Sequence, residues 1–128
     1  MFTYTNSEEF YAKHGCFHDH IVESIVFDAL QKTLTIKIIA PQRHILNFIC
    51  VEGFEYIGGD SWGREANGRI LELNVKKAED SKLYCHLQEQ IEKWKFSCVD
   101  ITKLTEVPIL FSTGNVMSIL CEGFDVTD

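Results

Sequence analysis

The densest run of chemically capable side chains in this sequence is His14, Cys16, His18, Asp19 and His20. Imidazole nitrogen and thiolate sulfur are zinc ligands, so such a run gives a metal reading a physical basis. In an extended backbone, steps of two would set His14, Cys16, His18 and His20 on one side. Gly15 argues against that path, and zinc sites more often draw their ligands from separate elements. A metal-dependent hydrolase built on these four residues is the enzymatic alternative. The leading reading makes them ordinary residues between a helix exit and the start of a strand, with Asp19 capping the turn or orienting a histidine. The His18-Asp19 dipeptide also occurs in metal-dependent phosphohydrolases. That chemistry needs further histidines spaced along helices, and only His44 and His86 remain.

Other motifs carry less. Gly58-Gly59-Asp60-Ser61-Trp62-Gly63 lacks the Gly-Lys-Ser/Thr of a phosphate loop and reads as a turn anchored by Trp62. Were Trp62 exposed, it and Arg64 would be of the types enriched where proteins bind one another. Cys16, Cys50, Cys85, Cys98 and Cys121 form an odd set with no Cys-x-x-Cys step, so reduced, inert thiols are expected. The expectation is a chain that is no enzyme and holds no metal or cofactor.

The elements that must position these residues follow from periodicity. Capping types at Thr5, Asn6 and Ser7 and a stop at Gly15 predict a helix over 7–13, docked by Phe10 and Tyr11. Residues 20–28 and 33–39 alternate and predict a hairpin with Ile25, Phe27, Leu34, Ile36 and Ile38 in the core. Pro41 ends its second strand. A third run goes from His44 through Val51 to Ile57, and residues 69–77 return to alternation with Leu71, Leu73 and Val75 inward. Leu83, Leu87, Ile91 and Trp94 form a helical stripe over 80–94, although Leu83, Cys85 and Leu87 also fit a strand. Further strands are expected at 96–101 and 108–112, then a Gly114-Asn115 turn and a last strand from Val116 to Cys121. The fold class is α+β, mainly β: a twisted antiparallel sheet, curled or sandwich-like, with one or two helices packed on it.

With 128 residues, 45% apolar and 12% aromatic, the chain suffices for one folded domain, 1–128. The Met1–Glu9 run lacks the basic and apolar regions of a signal peptide, and no apolar run approaches the ~18 residues of a membrane span. A cytoplasmic, membrane-free protein is expected. Net charge is −7. Residues 1–31 hold Glu8, Glu9, Asp19, Glu23 and Asp28 against Lys13, and beyond Lys103 only acidic charges remain. This balance excludes ready binding to nucleic-acid phosphates and suits a basic partner.

Three segments together resemble a known family. Phe17-His18-Asp19-His20-Ile21 leads into a hairpin whose second strand is Leu34-Thr35-Ile36-Lys37-Ile38. Asn47 to Phe54 is followed by Ser61-Trp62-Gly63, and Ser112 to Ile119 closes the set. This order, over about residues 10–122, is similar to that of small bacterial proteins filed among the immunity proteins of polymorphic toxin systems (the immunity family numbered fifty). That family usually has a small residue after His-Asp, where this chain has His20. The resemblance implies a protein that binds and blocks a cognate toxin domain, and it brings no catalytic residues. The expected function is non-enzymatic protein binding, with Asp19, Glu23, Trp62, Arg64 and Asp125 as candidate contacts to a basic toxin surface. A structural, self-associating domain is the third alternative.

Overall fold

A computed structural model describes residues 1–57, 68–79, 81–94 and 101–128. The protein is α+β and mainly β, with two antiparallel sheets sharing one core. The first sheet holds β1 (Ile21–Asp28), β2 (Thr33–Ala40), β3 (His44–Ile49) and β9 (Gly123–Thr127) in the order β1-β2-β3-β9. The second holds β4 (Gly53–Ile57), β5 (Ile70–Leu73), β7 (Thr105–Phe111) and β8 (Val116–Cys121) in the order β4-β8-β7-β5, with β6 (Lys76–Lys77) beside β7. Leu34, Ile36, Leu46, Phe48 and Phe124 from one sheet meet Ile70, Val107, Ile109, Phe111 and Ile119 from the other, all fully buried.

The β1–β2 hairpin forms as alternation requires, its turn tied by the Asp28 carboxylate accepting from the Leu30 and Gln31 amides (3.0 Å each). Its faces need correction. A bulge lies between Val22 and Ser24, so that Val22 opposes Ile38 while Ile25 opposes Ile36. The extra residue shifts the alternation, putting Val22 in the core together with Leu34, Ile36 and Ile38. Ile25 is half-buried, and Phe27, expected inside, is 39% exposed at the sheet's edge. A similar irregularity between Ile70 and Glu72 turns Leu71 outward, 36% exposed, while Leu73 and Val75 stay buried.

The run from His44 to Ile57 is not one strand. Cys50 has φ +48°, a conformation an extended strand cannot hold, and the chain there passes from one sheet to the other. After Cys121 the chain makes a further strand, β9, which pairs β3 and carries Phe124 into the core. Phe2 bridges β9 from its other side, so closely that a Cβ on Gly123 would lie 2.8 Å from the Phe2 carbonyl.

Helix α1 (Ser7–His14) stops at Gly15, and a short 3₁₀ turn with a Thr3/Asn6 capping box precedes it. Helix α2 (Lys82–Trp94) starts where the Ser81 hydroxyl accepts from the Tyr84 amide (2.9 Å), and the choice between helix and strand falls to helix over 82–94. Its Leu83, Tyr84 and Leu87 pack on Ala78, Leu104 and Leu120. Ile101, the last residue of the strand expected over 96–101, instead opens a 3₁₀ turn, Ile101–Lys103, and 96–100 lie outside the described residues. The strand expected at 108–112 begins earlier, at Thr105.

Candidate functional site

The polar run at 14–20 is a suture between the two sheets. Phe17 and Asp19 take positive φ of 54° and 63°, two steps apart from Gly15 at 63°. A phenylalanine in this region is held there only by strong surrounding contacts. The segment so bent runs antiparallel to β5. The Leu73 amide donates to Cys16 O (3.1 Å), Asp19 N to Ile70 O (2.7 Å), Ile70 N to His20 O (2.8 Å) and Val22 N to Gly68 O (2.6 Å). His18 Nδ1 reaches Leu71 O at 2.8 Å, and its Nε2 lies 3.3 Å from the Asp19 carboxylate.

The histidines gather about a phenyl ring. Phe17 is fully buried; His14 stacks flat on it (5.5 Å, 12°), and His20 and His44 meet it edge-on at 4.9 and 5.5 Å. Among the described residues no three His, Cys, Asp or Glu side chains come together to hold a metal ion, and the set His14, Cys16, His18, His20 is not assembled as ligands. His44 belongs to this cluster and was missed, since 24 positions separate it from His20. Burial, then the neighbouring Lys13 and His44 charges, pull the His14 pKa below the ordinary imidazole value. The Asp128 carboxylate lies 3.5 Å from His44 Nδ1, within ion-pair distance but not aligned as a hydrogen bond.

Of the candidate binding residues, Asp19, Glu23 and Asp125 are described, and they lie on different elements. Asp19 sits exposed on the suture, and Glu23 is exposed on the β1 bulge. Asp125 is on β9, at the opposite edge of the same sheet, its carboxylate 3.3 Å from the Met1 ammonium. Trp62 and Arg64 lie outside the described residues.

A second feature lies where β1 and β4, each terminal in its sheet's strand order, come near one another. Phe27 and Phe54 touch there at 4.8 Å. Beside them a cavity of about 290 Å³ is lined by Glu23, Ser24, Ile25, Phe54, Tyr56 and Met117. Phe27, Phe54 and Tyr56, with Val26 and Ile57 nearby on the same two strands, are exposed large apolar side chains. Asn115 fixes the Tyr56 hydroxyl (2.8 Å), and burial raises the phenol's pKa. Sequence reasoning missed this groove because Phe54 and Tyr56 alternate as any half-buried strand does. The thiols are free at Cys16, Cys50, Cys85 and Cys121, and Cys98 lies outside the described residues. Burial pushes the Cys121 thiol up to about 12, which leaves it inert as a nucleophile.

No known protein family matches the chain, and no curated protein matches it. A solved structure, an uncharacterised protein from Neisseria gonorrhoeae, is similar with a TM-score of 0.55 at 16% identity, over 88% of this chain and 93% of that one. The likeness shows a shared fold. No helix among the described residues is long and apolar enough to cross a membrane.

Proposed function

We propose that this protein is a non-enzymatic protein-binding module that holds a basic partner at the groove between β1 and β4. The carrying observation is the concentration of exposed apolar side chains about that groove, whose lining includes one charged residue, Glu23. Contiguous clusters of exposed apolar side chains mark interaction sites. The net charge of −7 would draw a basic surface in from a distance, and the apolar groove would slow its departure. The sequence resemblance narrows the reading to an immunity protein that neutralises a toxin domain in the cytoplasm. Within it Glu23 is the favoured contact. Asp19, engaged with His18, and Asp125, engaged with Met1, are rim charges at most; Trp62 and Arg64 stay in the proposal from their residue types alone.

The test is a pull-down with the tagged protein from its native cytoplasm, or against the product of any neighbouring toxin gene, followed by association kinetics with the captured basic protein. Association should slow roughly tenfold between low salt and about 0.15 M, where charges are screened beyond ~8 Å. Glu23→Lys should slow association, and Phe54→Ser should speed dissociation. A complex indifferent to salt and to both substitutions would remove the groove from the interface.

A further inference from the structure

We propose that the three imidazoles around Phe17 form an acid-released latch, which holds helix α1 against the end of the sandwich at neutral pH and frees it on acidification. The geometry carries this. His14 is the last residue of α1, His20 precedes β1 and His44 opens β3, so the cluster joins the helix to two separate parts of the first sheet. The rings of His14 and His44 are 6.1 Å apart, and those of His20 and His44 are 6.0 Å apart. Neutral rings at these distances pack on Phe17 as aromatic side chains. Two protonated rings would be like charges about 6 Å apart beside a buried phenyl ring.

The groups facing the cluster do not neutralise a second proton. From α1 comes Lys13, which opposes charge on His14. From the suture come His18 and Asp19, already paired with each other. A cavity of about 330 Å³ at His44 brings Glu23 of β1, Lys37 of β2, Arg43 before β3 and Asp128 beyond β9. Asp128 is the carboxylate nearest an imidazole of the cluster in this set, 3.5 Å from His44, and it can serve one imidazolium. A second has Glu23 set against Lys13, Lys37 and Arg43.

The backbone is arranged for α1 to lift without detaching. Before the helix, Phe2 exchanges backbone hydrogen bonds with Phe124 of β9 (2.7 and 3.0 Å). After it, the suture from Cys16 to Val22 stays bonded to β5 and Gly68. Between these anchors α1 is held by buried Phe10, by the Tyr11 hydroxyl accepting from the Val75 amide (2.7 Å), and by His14. The sign follows from His14. Its folded pKa is depressed, so below about pH 6.5 the released state takes up the proton first and is favoured as pH falls.

Hydrogen exchange of the full chain, read by mass spectrometry at pH 7.5 and 5.5 and corrected for the intrinsic rate, tests this directly. Protection of the α1 amides should fall several-fold at the lower pH, while β7 and β8 keep theirs. His14→Phe, which keeps a ring on Phe17 but cannot take a proton, should abolish the pH dependence. If that variant does not fold, His44→Gln, which leaves burial and Lys13 acting on His14 but removes the neighbouring imidazole, should weaken the pH dependence without abolishing it. Unchanged α1 protection in the parent, a loss shared equally by all strands, a loss that persists in folded His14→Phe, or one undiminished in His44→Gln would each overturn the latch.

Discussion

The two places where β1 meets the second sheet are built differently. At its start, β1 and the suture before it are joined to Gly68 and β5 by a ladder of backbone hydrogen bonds, with Phe17 fully buried behind them. Toward its end the same strand nears β4, and the contact between Phe27 and Phe54 is side chain on side chain, with a groove beside it. Hydrogen bonds in the first case fix both register and distance. Apolar contact in the second fixes neither, and leaves Ile25, Phe54 and Tyr56 partly reachable. The run of polar side chains that looked most like chemistry is thus largely architecture. The place best suited to binding is made of residues that read, in sequence, as core.

The strongest way to break this contrast is at Phe17. Phe17→Ala removes a buried ring and the platform for three histidines, in a positive-φ position that alanine tolerates no better. The expected cost is about 3–5 kcal/mol of unfolding free energy, measured by urea titration. A loss under about 1 kcal/mol would mean that the ladder closes this seam without its ring.

How much of this was legible depended on whether local pattern or distant contact decided the outcome. The hairpin of β1 and β2, the helix ending at Gly15 and the helix over 82–94 were legible, because periodicity and caps are local. The β1 bulge was not, since one added residue changes which face is buried while leaving the apolar composition unchanged. The break at Cys50 hid inside an apolar run, and β9 hid because Gly123 and Asp125 interrupt its apolar density. For the site, the histidine cluster was visible as residue types. Its true partners, Phe17 at its centre and His44 from β3, were fixed by packing across the chain. The groove needed two edge strands to meet, and no residue spacing reports that.

A smaller effect should come from the open side. Phe54→Ser replaces an exposed ring that touches Phe27 but lies outside the fully buried core. Its cost should be about 1 kcal/mol, several-fold less than at Phe17, because much of the ring is already in water. Chemical denaturation of both variants side by side measures the ratio. Equal losses at the two positions would show that the second seam is as integral to the fold as the first, and that Phe54 is unsuited to serve as a free anchor.

The smallest effect is expected at the far end of the open side, where the β1–β2 turn meets the β3–β4 connection. There the Val51 amide donates to Lys32 O (2.8 Å), and Lys32 Nζ lies 2.6 Å from Glu52 Oε1. Lys32 is half-exposed and Glu52 mostly covered, so the ion pair is screened on one side and its carboxylate partly desolvated. Exposed pairs contribute about 0.2–1 kcal/mol, and Lys32→Met, which keeps the stem's length and the backbone hydrogen bond, should cost no more than that. The loss should shrink further in high salt, since screening weakens the pair in the parent and leaves the variant unaffected. A salt series of unfolding midpoints for the two proteins measures it. A loss above about 2 kcal/mol that ignores salt would identify the pair as a buried tie, and would place a second suture on the side described here as open.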